Sequence, residues 1–171
     1  MPPGLDEPAG PLQRGRGVPG QYMYWATQSH PSEENAQQLR LPTEFTRESF
    51  CEFIVKAHNE YFTEKAINNS VVEAAVFKEL HANGLVHMNA LIRARMQFRW
   101  KLVADWIRTK HKVFLNYGTN VKSWSEGAVY GCVGSEHKPP EALDQTPYQW
   151  IQSGTPAICH AARHRGVWGG A

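Results

Sequence analysis

The sequence predicts an α+β fold: a ferredoxin-like βαββαβ core with an antiparallel sheet, and an added C-terminal helix that bears a tyrosine. Three observations predict it. Asn83-Gly84, the strongest short signal for a hairpin, lies between two runs of strand-like composition. Two segments, one carrying Phe50 to Tyr61 and one carrying Phe98 to Ile107, repeat apolar residues at the 3.6-residue period of a helix. With a further strand-like run before the first helix and another after the second, these pieces follow the order of a split βαβ unit. In that arrangement both helices cover one sheet face, strands one and three form the central pair, and the other face is left for a ligand.

Each element has a local cause. Tyr22-Met23-Tyr24-Trp25-Ala26-Thr27 is dense in aromatic and β-favouring residues and ends at the turn-like Gln28-Ser29-His30-Pro31, which makes it the first strand. Thr43 or Thr46 can cap the first helix, whose apolar positions are Phe50, Phe53, Ile54, Ala57 and Tyr61, with Glu48 in the favourable first turn. Asn68-Asn69-Ser70 interrupts the chain. Residues 71–80 are ambiguous between helix and strand, and the hairpin signal that follows selects strand for their second half. Leu85 to Ile92 is the third strand. Phe98, Leu102, Val103, Trp106 and Ile107 stripe the second helix, His111 to Tyr117 forms a fourth strand closing at Gly118, and Ser123 opens a third helix.

The ends read differently from the middle. Residues 1–20 are rich in proline and glycine with little to bury, so a disordered leader is expected. One domain covers 21–138. The extension 139–171, with short apolar pieces near Tyr148 to Ile151 and at Val167-Trp168, is expected to wrap that domain or fray. Three cysteines without CxxC spacing fit a reducing compartment, and no run has the roughly 18 apolar residues of a membrane span, so the chain reads as intracellular; if it is DNA-associated, it would be nuclear in a eukaryote. Net charge is only +2, yet residues 93–122 hold eight basic side chains against Asp105 alone. Such a local field collects phosphates, although a solvated helix face has the same composition.

Around the hairpin, Glu79-Leu80-His81-Ala82-Asn83-Gly84-Leu85-Val86-His87-Met88-Asn89 gathers a carboxylate, two imidazoles and a carboxamide. His87 and Asn89, two apart on a strand, share a face while Met88 points to the other. A two-residue loop would set Glu79 opposite Met88. A three-residue loop, Ala82-Asn83-Gly84 with Gly84 left-handed, sets Glu79 opposite His87 and Phe77 opposite Asn89. Only the second register puts Glu79, His81, His87 and Asn89 on one face, where oxygen, nitrogen and amide-oxygen donors without a thiolate suit Mg²⁺ or Mn²⁺. The competing interpretation is a satisfied core histidine beside a surface carboxylate.

Further on, Ser123-Trp124-Ser125-Glu126 fits a capping box. At 100° per residue Trp124, Ala128, Val129, Cys132 and Val133 form the expected buried stripe, and Tyr130 lies roughly 150° from it, among Glu126, Gly127 and Gly134. Its hydroxyl is expected to be accessible. A phenol, with a pKa of about 10, needs a polarised electrophile to act as a nucleophile near neutral pH, and a metal at the hairpin would supply one. Tyr117, ending a strand beside Gly118, is the main rival.

Glu-x-His, then the histidine-hydrophobic-asparagine of residues 87–89, a basic helix, a strand and a tyrosine helix together resemble the HUH endonucleases. These are rolling-circle replication initiators and related transposases, and the replitron-like single-tyrosine branch of eukaryotic mobile elements is the nearest in pattern. The resemblance spans residues 22–138. It implies a metal-dependent single-stranded DNA endonuclease and strand transferase that nicks and rejoins through a 5′-phosphotyrosine. Carried over, His87 and Asn89 are the motif metal ligands, Glu79 the third, Tyr130 the catalytic nucleophile and His81 an outer ligand or DNA contact; Mg²⁺ or Mn²⁺ is the cofactor, and Arg93, Arg95, Lys110 and Lys112 are the expected contacts to the DNA backbone. Asn89 departs from the family's second histidine, for which some viral members have glutamine. Val133 stands where many viral members have a lysine three residues after the tyrosine, leaving Lys122 and Lys138 as the nearest assisting lysines. Without a Walker motif, unwinding would fall to a separate helicase. The alternatives are a non-catalytic single-stranded nucleic-acid-binding module, such as a degenerate nuclease, and a metal-free interaction domain whose hairpin polars bond to one another.

Overall fold

The computed structural model describes residues 22–80, 83–118, 121, 123–124, 127 and 147–152. Their architecture is α+β, with two helices against a five-stranded antiparallel sheet. The order along the chain is β1 (Tyr22–Gln28), a single 3-10 turn (Pro42–Glu44), α1 (Arg47–Glu64), β2 (Val71–Leu80), β3 (Val86–Ala94), α2 (Trp100–His111), β4 (Asn116–Gly118) and β5 (Tyr148–Ile151). In space the strands run β4-β1-β3-β2-β5, so β3 is central and β1 and β2 flank it. Among the described residues no helix is long and apolar enough to cross a membrane.

Thr46 caps α1. Its hydroxyl accepts from the Ser49 amide at 3.0 Å while Ser49 Oγ accepts from the Thr46 amide at 2.9 Å, a reciprocal pairing that satisfies two amides the helix leaves unpaired. The apolar stripe of α1 (Phe50, Ile54, Ala57, Tyr61) meets Val103 and Ile107 of α2 and one face of the sheet, where Tyr24, Ala26, Met88, Ala90 and Ile92 project. Tyr24 ties the sheet to the start of α2, its hydroxyl accepting from the Phe98 amide at 2.9 Å. Burial pushes that phenol up to about 12, so it serves as a neutral hydrogen-bonding group.

Three expectations are corrected. β2 is a strand along its whole length, and its side chains are buried on both faces from Val71 to Phe77, which is why no alternation marked it. β4 is only three residues long: α2 continues to His111 and stops at Lys112 in the left-handed conformation (φ 58°), so Val113 and Leu115 are buried without joining the ladder. Tyr148–Ile151, within the expected extension, pairs with β2 as β5, covering backbone groups that an open edge would expose. The face turned away from α1 and α2 is also not bare. Trp25, Ala75, Phe77 and Leu91 on it are buried, as are Val121, Trp124 and Gly127.

Candidate metal and nucleic-acid site

β2 and β3 pair with Glu79 against His87 and Phe77 against Asn89, and the ladder continues to Leu80 against Val86. This is the register that assembles the hairpin polars. Gly84 has φ 82°, a conformation that costs little only without a Cβ. Met88 points to the helix side and joins the core there. On the other side of β3, Thr27 of β1 lies opposite Asn89, and Asn116 of β4 lies opposite Thr27. One end of the sheet therefore carries a polar row across four strands, on the face that α1 and α2 do not cover. His81 and Ala82 lie outside the described residues.

Within that row the bonds are specific. Thr27 Oγ1 donates to Asn89 Oδ1 at 2.8 Å, and Asn89 Nδ2 donates to Glu79 Oε2 at 3.0 Å. Asn89 is 4% exposed and Glu79 6%, so the second bond is a charge-assisted bond in a place of low dielectric, the kind that contributes about 1.5–3 kcal/mol. His87 is half-buried beside them. The amide presents nitrogen to the carboxylate, where the sequence led to the expectation of an amide-oxygen ligand. Among the described residues no group of three or more His, Cys, Asp and Glu side chains converges to hold a metal, and the set here is one carboxylate, one imidazole and one amide. These donors fit a hard divalent cation once the Asn89 amide turns over. Oδ1 would then face the carboxylate side and Nδ2 would donate to Thr27, whose hydroxyl can accept.

An aromatic wall bounds the polar row. Trp25 and Phe77, on opposite sides of β3, stack with ring centroids 5.5 Å apart between the levels of Asn89 and Leu91. Beyond the wall lies Gly127, in a helical stretch whose amide donates to Ser123 O at 3.2 Å. A methyl group on Gly127 would meet Leu91 Cδ2 at 2.7 Å and Cδ1 at 2.8 Å. The sequence places Gly127 on the solvent side of its helix; in the structure it lies against Leu91 of β3.

Gly127→Ala is therefore expected to destabilise the protein. Overpacking against the buried Leu91 costs about 1–3 kcal/mol, more than the ~1 kcal/mol that alanine contributes to a helix. In a Leu91→Ala background the same change should become neutral or stabilising. A urea-denaturation cycle over the four variants measures this, and equal costs in both backgrounds would refute the contact.

The basic residues do not form one field. Arg93 is 4% exposed, with its Nε 3.4 Å from the buried Glu73 Oε1, so it is committed to an internal ion pair and not available to a phosphate. Arg95 is exposed, but it follows β3 at the end of the sheet opposite the polar row. Lys110 and Lys112 are exposed at the C-terminal end of α2, which leads into β4 at the polar end. Lys110 Nζ bonds Glu60 Oε1 at 2.8 Å, holding the ammonium above and the carboxyl below their usual ranges.

Tyr117, the rival nucleophile, is buried on the helix side. There its hydroxyl meets His58 Nε2 at 2.6 Å, and desolvation pushes its phenol far up. Tyr130, Lys122 and Lys138 lie outside the described residues. Thr27 is the site residue that sequence reasoning missed: its place opposite Asn89 follows from the long-range pairing of β1 with β3, for which no local signal exists. Comparison with known protein families finds no match, nor does comparison with curated proteins.

Proposed function

We propose that the chain is a metal-dependent single-stranded DNA nickase and strand transferase of HUH type, built on a ferredoxin-like βαββαβ core with β5 added at its edge. The observation that carries this reading is the meeting of Glu79, His87 and Asn89 at one end of the sheet face that α1 and α2 leave. The strand order β4-β1-β3-β2, all antiparallel, supports the split βαβ arrangement. Gly127, three residues before Tyr130 in the sequence, lies against Leu91, two residues along β3 from Asn89.

In this reading Glu79, His87 and Asn89 hold Mg²⁺ or Mn²⁺, which supplies Lewis acidity toward a scissile phosphate. The Tyr130 oxygen forms a bond to that phosphorus as the bond to the 3′-oxygen breaks, and the phenol proton passes to the departing 3′-oxygen, leaving a 5′-phosphotyrosine bond and a free 3′-hydroxyl; the reverse attack rejoins the strand. Phe77 and Trp25 close the inner side of the site to water, and Lys110 and Lys112 meet the DNA backbone. The test is incubation with a panel of single-stranded oligonucleotides and Mn²⁺. A slow-migrating adduct on a denaturing gel, absent for Tyr130→Phe, is the expected result; an adduct that survives Tyr130→Phe removes that residue from the role.

One observation favours a second reading, a non-catalytic module for single-stranded nucleic acid: both ends of the Asn89 amide are bonded to protein groups, Thr27 and Glu79. Oligonucleotide binding that ignores divalent ions and gives no adduct would select it.

A further inference from the structure

We propose that Thr27 and Asn89 form an amide gate over Glu79, with Thr27 as a positioning residue; this rests on the metal-site reading above. In the structure the Asn89 amide nitrogen takes the place of a cation toward Glu79 Oε2, at 3.0 Å. A divalent ion that binds Glu79 together with Asn89 requires the opposite face of that amide, since a protonated nitrogen has no lone pair to give. Turning the amide over exchanges its two atoms, so the group opposite must accept where it formerly donated. Thr27 Oγ1, 2.8 Å from Asn89 Oδ1, is a hydroxyl and can do either.

A backbone carbonyl or a lysine at that place would lock one orientation. Thr27 leaves both bonded, so the metal-free and metal-bound states each keep the buried amide satisfied, and exchange between them needs only rotation about the terminal torsion of Asn89. The gate also accounts for an asparagine at this position. A buried carboxylate that is bonded in the absence of metal need not be left as an uncompensated charge, and the hairpin can fold before any ion arrives.

The experiment uses the full chain, with Mn²⁺ binding followed by calorimetry and the side-chain amide signals followed by ¹⁵N-¹H spectra on adding diamagnetic Mg²⁺. Thr27→Val leaves the amide without its partner in both orientations, but an orphaned Nδ2 donor costs more than an orphaned carbonyl, so it should weaken Mn²⁺ binding roughly tenfold. Thr27→Ser should restore binding to within about twofold, which a packing role for the threonine methyl would not allow. Asn89→Asp replaces the internal donor by a second carboxylate against Glu79 and should strengthen binding roughly tenfold. The Asn89 amide pair should shift on Mg²⁺ addition as its partner changes from carboxylate to hydroxyl. Binding by the unmodified chain with an unmoved Asn89 amide, or unchanged by Thr27→Val, overturns the gate alone. No binding by any variant, Asn89→Asp included, overturns the gate and the metal reading together.

Discussion

Glu79→Gln is expected to weaken Mn²⁺ binding about 100-fold or more and to remove adduct formation, while the melting temperature stays within a few degrees of the unmodified protein. Glutamine keeps the length of the side chain, and its carbonyl oxygen can still accept the bond from Asn89 Nδ2, so the 3.0 Å contact and the β2–β3 pairing survive. What it loses is the negative charge. In the set of Glu79, His87 and Asn89 that charge is the only formal one, and the attraction of a hard cation to its ligands scales with ligand charge. Glu79→Ala separates the two roles: it also strands the buried Asn89 donor and should cost an additional 1–3 kcal/mol, roughly, in stability. Calorimetric titration with Mn²⁺ alongside thermal melts decides the matter. Unimpaired binding by Glu79→Gln would show that Glu79 is a structural acceptor for Asn89 and nothing more.

Parts of this site were legible in the sequence because they depend on local rules. An Asn-Gly turn flanked by strand-like residues fixes a hairpin, and once Gly84 is assigned the left-handed position the alternation of side chains dictates that Glu79 faces His87. The capping of α1 by Thr46 and the burial of Phe50, Ile54, Ala57 and Tyr61 follow equally from short-range chemistry. The remainder depends on distant pairing. Thr27 meets Asn89 across 62 residues of chain, and β5 reaches β2 from beyond the expected domain boundary, so neither has a neighbour in sequence to announce it. Arg93 shows the same limit with charge. It was read as one of a run of basic residues on an open surface, whereas a buried glutamate on the adjoining strand, opposite it in the β2–β3 ladder, withdraws it from solvent. Gly127 shows it for packing: a wheel drawn from apolar residues cannot reveal that a glycine set apart from them lies against the sheet.

The second large effect is on acid stability, and it arises on the opposite face of the sheet. His58 is fully buried, with Nδ1 2.6 Å from Ile54 O and Nε2 2.6 Å from the Tyr117 hydroxyl. A carbonyl can only accept, so Nδ1 carries the proton; Nε2 is then the acceptor, and Tyr117 donates to it. In that tautomer the Nε2 lone pair is engaged by Tyr117, so a further proton there must turn the hydroxyl from donor to acceptor inside the core. Burial lowers the His58 pKa from 6.5 to about 4, the Ile54 carbonyl opposing the shift. Because the folded value lies below the unfolded one, the unfolded chain takes up the proton first as pH falls. The stability conferred by a neutral His58 is complete above about pH 6.5 and is lost progressively down to about pH 4, by about 3 kcal/mol in all. Replacing the pair together, His58→Leu with Tyr117→Phe, leaves neither buried partner unsatisfied and should remove that share of the pH dependence at small cost near neutral pH. Urea denaturation at pH 7 and pH 4.5 measures it: the gap in unfolding free energy between the two pH values should shrink by about 2–3 kcal/mol in the double variant. Parallel losses in both proteins would mean that other groups, carboxylates among them, set the acid limit and that His58 accepts its proton without opening the fold.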